Sequence, residues 1–291
     1  MSRELAAALI AAQFPALAPV AIGPSHAGWD NTVYQVGEAW IFRFPRREIA
    51  VPLLRTEIRA LPRLAAALPI PVAAPELVGA PTDDYPWPFA GYRKLRGVPA
   101  DRARLDDGAR ARLAAPLGRF LAALHAVDPA PLELPDDDFG RLDISRRRAI
   151  LAERLEALHA LGEIAHPHAW DAELDATPAA HGRRVAVHGD LYARHVLVDG
   201  GEPTGIIDWG DLHLGRPAVD LALAHAFLPP AAHSDFRRAY GAIDDDAWRL
   251  ARMRALFHTA AVLVYALDIF DDDMAAEARA ALWHLGASHA S

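Results

Sequence analysis

The sequence predicts an α+β fold in two lobes, a small β-rich lobe followed by a larger, mainly helical one. Three observations carry this. Short β-branched and aromatic runs crowd the chain up to Gly97, interrupted by one helical stretch. Beyond Gly97 the apolar residues recur at three and four, the helical period. And 52% of the 291 residues are hydrophobic against 23% charged, enough to bury a full core. The boundary is set near Gly97, giving lobes of residues 1–97 and 98–291.

The elements follow in order. Met1 to Ala18 carries Glu4 and lacks a basic leader, so it reads as an amphipathic helix rather than a signal peptide. Thr32 to Val36 and Ala39 to Phe44 read as strands, joined by a hairpin turn at Gly37 and Glu38. Leu53 to Leu68 has helical spacing, and Pro69, Pro71 and Pro75 stop it. Glu76 to Gly79 and Phe89 to Leu95 are two further strands. Asp107 to Val127 and the arginine-rich Ile144 to Leu161 are helices. Val185 to Val187 and Val196 to Val198 are short strands around a loop, and Thr204 to Ile207 is a strand leading into Asp208. From Ala218 onward the chain is mostly helical. The acidic runs Asp136 to Asp138 and Asp271 to Asp273 read as solvated turns.

Composition removes several function classes. A net charge of -8 argues against a nucleic-acid partner, which would need a basic face. No segment reaches about 18 uninterrupted apolar residues, so no membrane span is expected. Cysteine is absent, which excludes disulfides, thiolate nucleophiles and cysteine zinc sites, and suits a cytoplasmic protein. The single lysine, Lys94, is followed by Leu95, so there is no G-x-x-x-x-G-K-[ST] phosphate loop. G-x-G-x-x-G, H-E-x-x-H and G-x-S-x-G are missing as well.

The chemistry concentrates in Val185 to Asp211, VAVHGDLYARHVLVDGGEPTGIIDWGD. One strand ends in His188, Gly189 and Asp190, with His195 five residues after Asp190. The next ends in Asp208, Trp209, Gly210 and Asp211. Phosphoryl transfer from a nucleotide needs one carboxylate to orient the attacking hydroxyl, a second to hold Mg²⁺ against the phosphates, and a further ligand shortly after the first. Asp190, Asp208 and His195 have that order and spacing. The pattern H-G-D-x-x-x-x-H then I-D-W parallels the protein-kinase H-R-D-x-x-x-x-N then D-F-G.

On these residues the chain resembles the aminoglycoside phosphotransferase family, whose signature is H-G-D-x-x-x-x-N followed by I-I-D. It is most similar to the branch of aminoglycoside 2''-phosphotransferases and macrolide phosphotransferases, which often carry His where others carry Asn. His195 is that residue here. Further segments extend the resemblance over nearly the whole chain: Gly28 to Val36 (GWDNTVYQV), Ile41 to Arg47 (IFRFPRR), Phe89 to Pro99 (FAGYRKLRGVP) and Thr204 to Asp211 (TGIIDWGD).

The resemblance implies a protein-kinase-like bilobal fold and a kinase using Mg²⁺ and ATP or GTP, with a small-molecule alcohol as acceptor. It makes Asp190 catalytic, and His195 and Asp208 metal ligands. Ser25 to Asn31, including Ser25, His26 and Asn31, would form a loop over the phosphates. Arg43 would take the place of the strand lysine, with Glu57 as its ion-pair partner; alternatively Arg43 faces solvent and Glu57 is an ordinary helix residue. The two cations are not interchangeable, because guanidinium can bind phosphate at two points. Arg93, Lys94 and Leu95 would form a hinge whose backbone meets the base. His188 and Asp220 would support the catalytic loop. Asp211 either approaches the metal or substrate or caps the next helix. Trp29 either packs under the loop or stacks on the ligand.

The acceptor is less constrained. Polycationic aminoglycosides need clustered carboxylates once desolvated. Arg249 to Tyr265 contains no acid and is largely apolar, which departs from that pattern. An apolar cleft would suit a macrolide or another bulky alcohol, although such a stripe can equally be core. An ordinary metabolite alcohol is the alternative acceptor. Two other classes compete: a metal phosphohydrolase using His188, Asp190, His195 and Asp208, and a nucleotide-binding module without turnover.

Overall fold

The first part of the chain is organised by a five-stranded antiparallel sheet in a computed structural model that describes residues 1–28 and 30–286, the side chains of His26 and Ala27 excepted. The strands are β1 (Ile22–Ala27), β2 (Asn31–Val36), β3 (Trp40–Pro45), β4 (Pro75–Gly79) and β5 (Phe89–Arg93), in the order β1-β2-β3-β5-β4. Alternation gives the sheet two faces. Tyr34, Val36, Phe42, Phe44 and Phe89 point to one face and pack with Ala6, Leu9 and Ile10 of helix α1 (Arg3–Gln13). Phe44 and Phe89 stack there with ring centroids 4.7 Å apart. The opposite face carries Arg43 and Tyr92, with Leu54 of helix α2 (Ala50–Ala65) packed against it. The β2–β3 hairpin turns at Gly37, whose φ of +56° suits a residue without a Cβ.

The expected phosphate loop is mostly strand. Ser25 belongs to β1 and pairs with Tyr34, so the two project from the same sheet face, toward α1. Asn31 begins β2, and its carbonyl accepts the Gly28 N–H at 2.9 Å. The connection between the strands is thus a tight turn. Trp29 and the His26 side chain lie outside the described residues. Sequence reading misses β1 because Gly23 and Pro24 interrupt any alternation. Proline is tolerated in β1 because it is the edge strand.

The second part is mainly helical. It contains α3 (Asp107–Ala126), α4 (Ile144–Ala160), α5 (Asp171–Asp175), α6 (Ala218–Phe227), α7 (His233–Tyr240), α8 (Asp245–Asp268) and α9 (Asp272–His284). Five short strands accompany them. β6 (Val98–Pro99), β8 (Val196–Asp199) and β9 (Glu202–Ile206) form one sheet, while β7 (Val185–Val187) pairs with β10 (His213–Gly215). Asp106, Asp143, Asp244 and Asp271 cap α3, α4, α8 and α9 by accepting an amide of the first turn. Asp271 is therefore a helix cap, not part of a solvated turn, and it also pairs with Arg194 at 2.7 Å.

Helix α8 also differs from expectation. Its apolar residues Met253, Leu256, Phe257, Ala260 and Leu263 are buried in a core built with α4 and α9. By length and composition α8 could cross a bilayer, but 56% of its most apolar window is buried inside the fold. The apolar stripe is therefore largely core, while Thr259 and Val262 line a small cavity next to Tyr192 and His258.

Candidate active site

Strand β7 ends at Val187 and hands the chain to His188, Gly189 and Asp190. The loop is pinned from below by Asp220 in the first turn of α6, which is fully buried. Asp220 accepts the N–H groups of His188 at 2.8 Å and Gly189 at 3.0 Å, and meets His125 Nε2 at 3.1 Å. His125 in turn contacts the Tyr240 hydroxyl at 2.9 Å. Burial would raise the Asp220 carboxyl, but His125, His188 and the Gly189 amide hold it below the usual range. Gly189 has φ +89°, and a Cβ there would sit 2.3 Å from the Asp211 carbonyl oxygen. No other residue fits.

His188 is saturated. Its Nε2–H donates to the Ile207 carbonyl at 3.0 Å, while Nδ1 accepts the Asp190 N–H at 3.3 Å. Burial holds its pKa below the ordinary value, so the ring is neutral with both nitrogens committed.

Asp190 stands at the cleft floor with its side chain 31% exposed. Its Oδ1 accepts Nε2–H of His258, on α8, at 2.8 Å. Burial keeps His258 below its ordinary pKa. Burial alone would raise Asp190, but the His258 hydrogen bond, His195 and Arg254 hold it far below the carboxylate range. Tyr192 fixes both imidazoles edge-on, with ring centroids 4.5 Å from His195 and 4.8 Å from His258.

His195 lies at the start of β8. Its Nδ1 is 2.7 Å from the Asp190 carbonyl oxygen. A carbonyl can only accept, so Nδ1 carries a proton. Nε2 faces Asp208 Oδ2 at 3.4 Å. Asp208 is held in the left-handed region at φ +61°, unusual for a residue other than glycine, and this conformation turns its carboxylate into the cleft.

Arg43 reaches Asp208 from the sheet. It donates to both Glu57 oxygens, at 3.1 and 3.2 Å, and to Asp208 Oδ1 at 3.2 Å. Glu57, on α2, is 2% exposed and also accepts the Tyr92 hydroxyl at 3.0 Å. Burial opposes the Arg43 charge, but Glu57 and Asp208 raise its pKa and keep it ionised. Arg43 and Glu57 are thus neither solvent-facing nor ordinary surface residues.

The hinge residues are placed differently from one another. Arg93 ends β5, stacks 3.9 Å over Trp40 and pairs with Glu76, so its side chain lies on the α1 face, away from Arg43. The Lys94 N–H is already donated to the Ala39 carbonyl at 2.8 Å, and its Nζ reaches Gln35 at 3.0 Å. Leu95 lies over Gly205 of β9. Only backbone from this segment remains for a base.

Asp211 caps no helix, because α6 begins at Ala218 with Pro217 before it. It pairs with Arg141, whose Nε also donates to the Gly189 carbonyl at 3.1 Å and whose Nη1 meets Asp137 at 2.6 Å. Asp137 is therefore engaged rather than solvated. Sequence reading misses Arg141, Arg254 and His258. Nothing in their local spacing marks them, since Arg254 and His258 reach Gly189 and Asp190 from α8, and Arg141 reaches Gly189 from the segment before α4.

The donor set suits a magnesium ion shared with phosphates. No group of three or more His, Asp or Glu able to hold a metal alone occurs among the described residues. Mg²⁺ needs no such cage, because it takes one or two carboxylates and fills its shell with phosphate oxygens and water. Asp208 Oδ2 and His195 Nε2 face each other at 3.4 Å, so both could contact one cation placed between them.

The chain matches the phosphotransferase enzyme family over residues 22–256. It belongs to that family. The fold agrees with solved members. The GDP and kanamycin complex of APH(2")-IIia superposes with TM-score 0.70 at 23% identity, covering 97% of this chain and 98% of that one. The apoenzyme of macrolide 2'-phosphotransferase MphH from Brachybacterium faecium gives TM-score 0.61 at 25% identity, covering 96% of this chain and 97% of that one. The gentamicin complex of APH(2")-IIa gives TM-score 0.60 at 16% identity, covering 97% and 96%. No curated protein sequence matches the chain. The phosphotransferase therefore has the two-part kinase-like architecture expected of it.

Proposed function

We propose that this phosphotransferase moves the γ-phosphoryl group of ATP or GTP to a hydroxyl of a small-molecule acceptor of antibiotic type. The observation that carries the reading is the convergence of Asp190, His195, Asp208 and the Arg43–Glu57 pair on one cleft. A phosphohydrolase has no use for the last pair, which lies in the nucleotide-facing sheet.

The roles follow from the geometry. Arg43, kept charged by Glu57, offers its guanidinium to the nucleotide phosphates. Asp208 would hold Mg²⁺, with His195 completing the site directly or through a water; the bound ion would neutralise charge on the transferring phosphates. Asp190 orients the acceptor hydroxyl. The acceptor oxygen bonds to the γ-phosphorus, the bond from that phosphorus to the β,γ-bridging oxygen breaks, and the nucleoside diphosphate leaves. Asp190 takes the hydroxyl proton. A carboxyl held this far below its usual pKa is a weak ground-state base. In a loose transition state the proton departs late, so orientation is its first task. His188 and Asp220 hold the loop in place. A cytoplasmic location fits the nucleotide supply.

Among antibiotics the site favours a weakly charged acceptor of macrolide type over a polycation. Arg141 and Arg254 flank the Asp190 loop, and the nearby Asp137 and Asp211 already serve Arg141. The same arginines favour a second reading, an alcohol of ordinary metabolism. Nucleotide consumption with ATP and GTP in parallel, against macrolides, aminoglycosides and simple metabolite alcohols, tests both. Acceptor-dependent turnover supports the kinase. Phosphate release without an acceptor would replace it with a hydrolase.

A further inference from the structure

Arg254 stands beside the catalytic loop, and the mechanism gives it no contact with nucleotide or acceptor. It precedes His258 by one helical turn on α8, so both project from the same face toward Asp190. Its Nη2 lies 3.5 Å from the Gly189 carbonyl oxygen, the oxygen that also accepts Arg141 Nε at 3.1 Å. Arg147, on α4, approaches the same region and binds the carbonyls of Phe139 and Gly140. Arg141 has two carboxylate partners, Asp137 and Asp211. Among the described residues no carboxylate comes within 4.0 Å of Arg254 or Arg147.

Both unpaired arginines are half-buried. A guanidinium removed from water retains a strong demand for an anion, and its planar fork fits a carboxylate or phosphate at two points. Burial and the charges of Arg141 and Arg147 press the Arg254 pKa down to about 10, so it stays charged at neutral pH. Asp190 attracts it but spends Oδ1 on His258. The cleft beside the catalytic carboxylate therefore holds guanidinium N–H donors with no carboxylate in direct contact.

We propose that Arg254, supported by Arg147, forms an anion-binding subsite on the acceptor side of Asp190, and that the phosphorylated alcohol carries a carboxylate or a phosphate. This rests on the kinase reading in its second form, with an alcohol of ordinary metabolism as acceptor, and names the chemical class of that alcohol. Arg254 anchors the charged end of the acceptor and so places the hydroxyl at Asp190. A polycationic acceptor would meet two guanidiniums there, neither in direct contact with a carboxylate.

The test first fills the nucleotide site with Mg²⁺ and a non-hydrolysable ATP analogue, so the γ-phosphate position is taken. Calorimetry then measures binding of gluconate, glucose and inorganic phosphate to the wild type, Arg254→Gln, Arg254→Lys and Arg147→Gln. At least one anion binds the wild type, and glucose does not. Arg254→Gln weakens anion binding about 10-fold or more, Arg254→Lys weakens it less, and Arg147→Gln gives a smaller loss. Anion binding that is absent in the wild type, or unchanged in Arg254→Gln, overturns the subsite. Should Arg254→Gln fail to fold, Arg147→Gln decides by the same criterion. In turnover with matched pairs such as glycerate and glycerol, Arg254→Gln raises KM for the anionic member more than for the neutral one. A fall in kcat at unchanged KM would instead assign Arg254 to the transferring phosphoryl group or to Asp190. Failure of both the ATP analogue and its GTP counterpart to bind the wild type removes the kinase reading, and is distinguishable from loss of anion binding alone.

Discussion

Asp190 and its two histidine neighbours divide the work at the scale of single residues. His258 occupies Oδ1 at 2.8 Å, leaving Oδ2 toward the acceptor. Asp190→Asn should lower kcat by about 10³-fold or more while Mg²⁺–nucleotide affinity changes little, as paired turnover and calorimetry would show. His258→Ala frees the carboxylate to rotate and should cost about 10-fold in kcat at nearly constant nucleotide KM. His258→Gln restores a donor and should recover part of the loss; equal activity in all three forms would remove His258 from the mechanism. Arg43 bridges Glu57 and Asp208 with separate N–H groups, a geometry lysine cannot copy. Arg43→Lys should therefore raise the nucleotide KM by about 10-fold, and an unchanged KM would count against phosphate binding by this side chain.

Elements fix where these residues stand. The turn after β7 works only because Gly189 adopts a positive φ and Asp220 accepts two consecutive amides beneath it. Asp220→Ala leaves those amides unpaired in the core and should cost about 2–5 kcal/mol in urea unfolding. A loss below about 1 kcal/mol would mean the loop holds itself. Most elements were legible because their periodicity is local: β2, β3, α3 and α4 fall within a residue or two of expectation. β1 was not, since Gly23 and Pro24 erase its pattern. The start of α2 was not either: Ala50 and Val51 are buried in its first turn, ahead of the helical spacing that begins at Leu53. The apolar run of α8 was visible, but which face it buries depends on α4 and α9 packing around it.

At the scale of the whole molecule, the site joins parts far apart in sequence. Asp190, His195 and Asp208 were legible because one strand–loop–strand segment holds them. His258 and Arg254 come from α8, and Arg141 from the segment before α4. Their roles arise from tertiary packing and leave no local mark. The same packing buries histidines. His188, His225, His233 and His258 all have pKa values pushed below 6.5, in each case chiefly by burial. The folded state thus keeps neutral rings that the unfolded chain would protonate. Stability should be intact above about pH 6.5 and fall as pH drops below it, because the unfolded state then binds more protons. Melting temperatures from pH 8 to 5 check this, and a flat or rising profile toward acid would contradict it. The central claim, transfer of a phosphoryl group by Asp190, is tested most directly by phosphorus NMR of the wild type and Asp190→Asn with ATP or GTP, Mg²⁺ and an acceptor panel. A phosphomonoester signal growing in step with nucleoside diphosphate in the wild type, and lost in Asp190→Asn, is the expected result. Free phosphate in place of the ester, or an ester formed equally well by Asp190→Asn, would contradict it.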